Sequence, residues 1–202
     1  MRQPLAVTVL VALTVVSCSQ DSPTRTDESL AAIVGKVTVN GTPLEVFPIA
    51  PVRQASASAP PVAPAACSFA STGLLPSIVA GRPGAMGLSQ AGLTVTVVDQ
   101  TSEGAANELL DERDTVLDSP ECKTLRYSYP NQTVEATVSE SATGGAGLTR
   151  ARVLVSRPTA ASQQTTTSLL GRHGAVLVMV NSSRGASVAD LEQTAQQVVA
   201  QL

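Results

Sequence analysis

Apolar and polar positions change rhythm several times along this chain. Leu93, Val95 and Val97 alternate with Thr94 and Thr96, which predicts a strand. Ala105, Ala106, Leu109, Leu110, Val116 and Leu117 then recur at helical spacing, with Glu103, Glu108, Asp111, Glu112 and Asp114 mostly on the other side. Ser119-Pro120 should stop that helix. Four extended stretches follow. Leu125–Tyr129 is short. Val134, Ala136 and Val138 alternate with Glu135, Thr137 and Ser139, and Ala151, Val153 and Val155 alternate within Arg150–Ser156. Ala175–Val180 is apolar without a break, the pattern of a central strand buried on both faces. The chain closes on a marked helix. Ser187 stands at the N-cap with Asp190 three residues on, and Val188, Leu191, Ala195, Val198, Val199 and Leu202 form one apolar face. A strand, a helix, an antiparallel run and a closing helix predict an α+β fold: a two-layer sandwich of an antiparallel sheet with the C-terminal helix packed on it.

The N-terminal third is organised differently. Residues 30–47 contain Val37 and Val39 in alternation, then the turn pair Asn40-Gly41, then Leu44 and Val46. They read either as a hairpin whose second arm Pro43 confines to an edge, or as a helix-like start at Leu30–Val34 followed by coil. Residues 48–66 carry five of the thirteen prolines, many alanines and one charge, the composition of a semi-rigid linker. The expected organisation is therefore 29–66 as hairpin and Pro/Ala-rich linker and 67–202 as the globular domain.

Residues 1–17 read as a signal peptide: Arg2, then an uncharged apolar run from Leu5 to Val16. That run is short for a membrane span, which needs roughly 20 apolar residues. Val15-Val16-Ser17-Cys18 at its end resembles the bacterial lipobox. The resemblance implies diacylglycerol on the Cys18 thiol, cleavage before it and an acylated amine, so that the chain sits on the extracytoplasmic face of the cell membrane. A plain secretory signal with a chance cysteine is the other reading. Residues 18–28 would be the lipidated cysteine and its polar tether. Removing residues 1–17 takes Arg2 away and leaves twelve Lys and Arg against sixteen Asp and Glu, so no polybasic patch helps the anchor.

Composition narrows the chemistry. One His and three Cys in 202 residues cannot furnish a zinc-finger array or a multi-histidine metal centre. A net charge of −3 argues against nucleic acid as a partner. Two Tyr, two Phe and no Trp leave little for aromatic stacking platforms. With Cys18 acylated, Cys67 and Cys122 remain, an even number in an oxidising compartment, and are expected to form a disulfide. Two buried free thiols are the alternative. The loop-closure model gives the bond about 4 kcal/mol for a loop of roughly 56 residues.

Catalytic constellations are sparse. Gly87-Leu88-Ser89-Gln90-Ala91 nearly matches a nucleophile elbow, and an acid (Asp99, Asp111, Asp114 or Asp118) and then His173 follow in hydrolase order. The elbow needs a strand before it and a helix after it, whereas here a Gly/Pro loop precedes and a strand follows. Ser89 is therefore expected in a surface loop and His173 at an exposed hairpin tip or strand entry. The acidic run from Glu103 to Asp118 lacks the spacing of a calcium loop and reads as a solvated helix face. No phosphate loop or dinucleotide fingerprint occurs, and no metal or cofactor is expected.

Lipobox, Ala/Pro-rich tether, two further cysteines and a small α+β domain together resemble the lipoproteins of mycobacteria and related actinobacteria. More loosely, residues 67–202, with Ser119-Pro120-Glu121-Cys122 ahead of strands and a closing helix, are similar to the extracytoplasmic sensor domains of mycobacterial serine/threonine kinases. These resemblances imply a non-catalytic binding, sensor or interaction module whose partner is an envelope protein or a lipid ligand. A lipid or glycolipid carrier is the second reading. A serine hydrolase using Ser89 and His173 is the third.

Overall fold

The computed structural model describes residues 25–50, 60–72, 76–159 and 164–202. A two-stranded ribbon, β1 (Thr38–Val39) and β2 (Thr42–Pro43), turns through Asn40-Gly41, both with positive φ as such a two-residue turn requires. The other strands are β3 (Glu45–Pro48), β4 (Val62–Ala63), β5 (Gly84–Leu88), β6 (Leu93–Asp99), β7 (Thr124–Tyr129), β8 (Gln132–Ser141), β9 (Thr149–Pro158), β10 (Thr166–His173) and β11 (Val176–Ser182). They join into one sheet in the order β3-β5-β6-β11-β10-β9-β8-β7-β4. Every pairing is antiparallel.

β11 lies fourth in that order and shows why its sequence is unbroken apolar. Val176, Val178 and Val180 point to one face, and Leu177 and Met179 to the other, all of them buried. The first face is covered by an N-terminal helix, Asp27–Val34, and the C-terminal helix, Val188–Val199. Their Leu30, Val34, Leu191, Ala195 and Val198 pack on Val95, Val97, Val153 and Leu169. Burying one such leucine contributes about 2 kcal/mol. The C-terminal helix starts as its sequence requires: Ser187 and Asp190 complete a capping box.

The α+β class, the antiparallel sheet and the packed C-terminal helix are as expected. The long helix Glu103–Asp118 covers the opposite face and forms a further layer there. It ends at Ser119-Pro120 as expected, and its Ala106 and Leu110 pack on Val98, Leu170, Leu177 and Met179. Beyond it, Leu117, Cys122, Leu125, Val138 and Leu154 gather around Cys67 in a third cluster.

Two strands differ from expectation. Residues 84–88 belong to β5 rather than to a surface loop, and residues 166–173 form β10 at the middle of the sheet. The N-terminal helix and ribbon belong to the same core as the rest. Leu30 and Val34 are fully buried, and Leu44 and Val37 join them. Both alternatives for 30–47 thus hold in part, a helix first and a hairpin after it. The linker is also partly built in. Ile49 is buried among the residues under the long helix, and Val62 pairs with Tyr127 through β4, while residues 51–59 lie outside the described residues.

Candidate functional site

Residues 1–24, on which the expected signal peptide, the lipidation of Cys18 and most of the expected tether fall, lie outside the described residues. The last of the tether is fixed. The Arg25 guanidinium donates to the Leu202 carbonyl at 3.2 Å, and the Asp27 carboxylate accepts from the Gly84 amide at 2.8 Å. Cys67 and Cys122 are bonded, with Cα atoms 5.2 Å apart. The bond joins the chain just before the short helix Ser68–Thr72 to the 3-10 turn that follows the long helix.

Ser89 and His173 are not brought together. Ser89 closes the β5–β6 turn, where its hydroxyl oxygen accepts from the Leu93 amide at 2.9 Å. His173 sits at the β10–β11 hairpin, paired with Val176, which in turn faces Asp99 at the far end of β6. The two side chains are separated by the length of that strand, roughly 20 Å. Asp99 itself accepts from the Thr101 amide at 2.8 Å and shapes the turn into the long helix.

The acidic run is more than a solvated face. Three arginines from β9 and β10 reach across to it. Arg150 pairs with Asp111 and Asp114, Arg152 with Asp114, Asp118 and Glu140, and Arg172 with Glu103. A fourth arginine, Arg113 of the helix itself, is 1% exposed. Its guanidinium donates to the carbonyls of Leu170 and Arg150, both at 2.8 Å, and pairs with Asp114. Burial pushes Arg113 below the ordinary guanidinium range, against the pull of Asp114. Burial alone would raise Asp114. The bonds from Arg150, Arg113 and Arg152 outweigh it and hold that carboxyl below the usual carboxylate range. Partial burial alone would lower Arg152, but the hydrogen bonds it donates to Glu140, Asp118 and Asp114 hold it above its ordinary value. Glu103, Asp111, Asp114 and Asp118 are thus paired with arginines, and the cluster fastens the helix to the sheet. Among the described residues no three His, Cys, Asp or Glu side chains converge as metal ligands.

A cavity of about 360 Å³ opens elsewhere, on the face that carries the terminal helices. Its walls come from four places: the β1–β2 ribbon, the turn into β6, the loop from β11 into the C-terminal helix, and that helix itself. These parts are bolted to one another. The Gln197 side-chain carbonyl accepts from the Thr38 amide and its amide donates to the Thr38 carbonyl, both at 2.9 Å, so the helix acts as a third strand for the ribbon. The buried Ser182 hydroxyl oxygen accepts from the amides of Arg184 and Ala186, which fixes the loop that presents Arg184. The lining is polar: Thr38, Asn40, Arg184, Asp190, Gln193 and Gln197 supply hydroxyl, amide and charged groups. The sequence displayed the parts, namely the Asn40-Gly41 turn and the Ser187–Asp190 cap. It did not display that they meet.

No family model matches this chain, and no curated protein matches it. Among solved structures, the chain is similar to the extracellular domain of PknH from Mycobacterium tuberculosis, with a TM-score of 0.59 over 88% of this chain and 96% of that one. Identity is 13%, so the likeness is one of fold. It bears out the sequence-based resemblance to an extracytoplasmic kinase sensor domain at that level.

Proposed function

We propose that this chain is a lipid-anchored, extracytoplasmic binding or sensor module, held on the cell membrane by an acylated Cys18 and without catalysis of its own. The observation that carries the reading is the layout of the domain. The chain enters at Arg25, against the C-terminal carbonyl of Leu202, and the polar cavity opens around Asn40, Ala91 and Arg184. β6 runs between these ends, from Leu93 beside the cavity to Val98 and Asp99 beside the Asp27–Gly84 contact. That is roughly 20 Å of strand. Seven residue steps lead from Cys18 to Arg25, at most about 25 Å of chain. An anchor at Cys18 would thus hold the entry end close to the bilayer and aim the cavity away from it. The shared fold with an extracellular domain supports placement outside the cytoplasm. The separation of Ser89 from His173 supports a non-catalytic role.

The carrier reading has less to stand on. The apolar groove between the N-terminal helix and β3, lined by Ala31, Val46 and Phe47, measures about 280 Å³. A lipid carrier calls for a cavity of many hundreds of Å³. The test of the anchor is Cys18→Ala. It should release the chain from the membrane fraction or leave it unprocessed, because that thiol is the acyl acceptor of the lipobox. A variant that fractionates and migrates like the parent would overturn the anchor. Mass spectrometry of ligands copurifying with the chain tests the binding role.

A further inference from the structure

Arg184 lines the polar cavity. Arg113, Arg150, Arg152 and Arg172 each have a carboxylate within ion-pair distance, and Arg184 has none among the described residues. Its guanidinium reaches only the Gln90 carbonyl, at a long 3.4 Å. The side chain is exposed, but its aliphatic stem lies over Gly92 so closely that a Cβ there would be 2.6 Å from Arg184 Cδ, and Gly92 also has φ +80°. The Arg184 and Ala186 amides are bonded to the Ser182 hydroxyl. An arginine whose stem rests on the protein, with no carboxylate in ion-pair distance, keeps its fork of donors for an incoming group.

Asp190 lines the same cavity and makes no ion pair with Arg184. One of its oxygens, Oδ2, accepts from the Ser187 amide and hydroxyl at 2.9 and 2.7 Å. Among the described residues no hydrogen bond to the other, Oδ1, is seen. The bonds from Ser187 hold the carboxyl below the usual range, so it is an anion at neutral pH. The cavity is therefore lined by one positive and one negative group that do not pair with each other, together with the amide side chains of Asn40 and Gln193. A simple anion would meet Arg184 but face Asp190, and a simple cation the reverse. No aromatic ring, His or Cys lines the space, so stacking and metal ligation are absent from this wall. Its volume of about 360 Å³ fits a small molecule.

We propose that this cavity binds a small zwitterion, a free amino acid or short unblocked peptide, with its carboxylate on Arg184 and its ammonium on Asp190 Oδ1. The proposal rests on the binding-module reading and names the ligand chemistry of that site. It is tested on the purified full chain by calorimetric titration with glutamine and with alanyl-glutamine, then with the N-acetyl and C-amide forms of each. The parent should bind at least one unblocked probe saturably, and either block should weaken that binding tenfold or more. The stronger of the two unblocked probes tells amino acid from peptide. Arg184→Gln should cost tenfold or more. Asp190→Asn keeps an acceptor for Ser187, and it should erase the discrimination against the N-acetyl form. Circular dichroism of both variants checks that the C-terminal helix persists. If Asp190→Asn loses the helix, Arg184→Gln and the blocked probes decide alone. Absence of saturable binding to either unblocked probe, equal binding of blocked and unblocked forms, or an unaffected Arg184→Gln would each overturn the proposal. If a copurifying ligand is found whose binding Arg184→Gln leaves untouched, the module stands and this assignment falls. If neither probe nor copurifying ligand binds, both fall.

Discussion

The two faces of the sheet are held by different means. Under the long helix, packing is backed by the Cys67–Cys122 bond and by a lattice in which Asp114 is shared by Arg113, Arg150 and Arg152. Under the terminal helices no disulfide occurs among the described residues, and the contacts are mostly of another kind. Leu30, Val34, Leu191 and Val198 pack on valines of the sheet, capping boxes start both helices, and Gln197 ties the ribbon down. The contrast separates fastening from reception. Where charges are spent on one another, no ligand can claim them. Where the fold is kept together by apolar packing, Arg184 and Asp190 remain available at a cavity. The locked face gives rigidity to the sheet from which the other face is built.

The largest expected effect lies at the disulfide. Its partners are 55 residues apart, so the loop-closure model predicts a loss of about 4 kcal/mol on reduction or on Cys122→Ser. The measurement is the melting temperature with and without reductant, and an unchanged value would refute the claim that this face is covalently fastened. Next is Arg113→Ala. It leaves Asp114 with less counter-charge and orphans the Leu170 and Arg150 carbonyls, for a cost of about 3 kcal/mol by urea unfolding. Leu191→Ala on the other face should cost a similar 2–5 kcal/mol, roughly, through the cavity it leaves. The pair differs in salt dependence, because only the arginine variant removes an ionic contribution.

The same contrast explains what the sequence could show. Packing by periodicity is local, and it was legible: β6, β8, β9 and β11, the long helix and the C-terminal helix follow from spacing alone. β5 was not, because Gly84 and Gly87 look like loop residues. They are glycines for a tertiary reason. A Cβ on Gly87 would lie 2.5 Å from Val34 Cγ1 and one on Gly84 2.8 Å from the Val97 carbonyl, so the N-terminal helix and β6 come too close for any side chain. β10 was hidden in a similar way. Its start has no apolar residue to set a period, and its Gly171 admits Leu148, whose Cβ would lie 2.9 Å from an added methyl. Arg113 is charged, so apolar periodicity does not mark it, yet it takes the place of a core residue between Leu110 and Leu117. Its burial depends on carbonyls of β9 and β10, which no local pattern announces. The cavity is the extreme case, since its walls are more than 140 residues apart along the chain at Asn40 and Arg184.

Acid should act on the locked face through Asp114. Asp114 titrates below its unfolded value, so its contribution is full above the ordinary aspartate range and is lost as pH falls through the lower, folded value. Stability should therefore decline with acidification below about pH 4, and Asp114→Asn should flatten that decline while lowering stability at neutral pH. A parent and variant with parallel pH profiles would remove Asp114 from the account. On the receptive face, Gly92→Ala should cost about 1 kcal/mol from the positive φ alone. It should also push Arg184 off its seat, so that probe binding weakens more than stability does. A loss confined to stability would show that the stem of Arg184 does not position its head.

The smallest expected effects belong to the two residues that a hydrolase would need most. Ser89→Ala removes one hydroxyl acceptor for the Leu93 amide, in a turn that keeps its backbone bond from Ser89 N to Leu93 O, so about 1 kcal/mol should be lost. His173 is exposed at a hairpin tip, and His173→Ala should fall within about 0.5 kcal/mol of the parent. Neither change should alter probe binding, because neither residue lines the cavity. A nucleophile and its base must come within hydrogen-bond reach, and roughly 20 Å of strand β6 stands between these two. A panel of ester, amide and glycoside substrates checks the point. Turnover by the parent that disappears in both variants would place a catalytic site across the sheet and reverse the division between the locked and the receptive face.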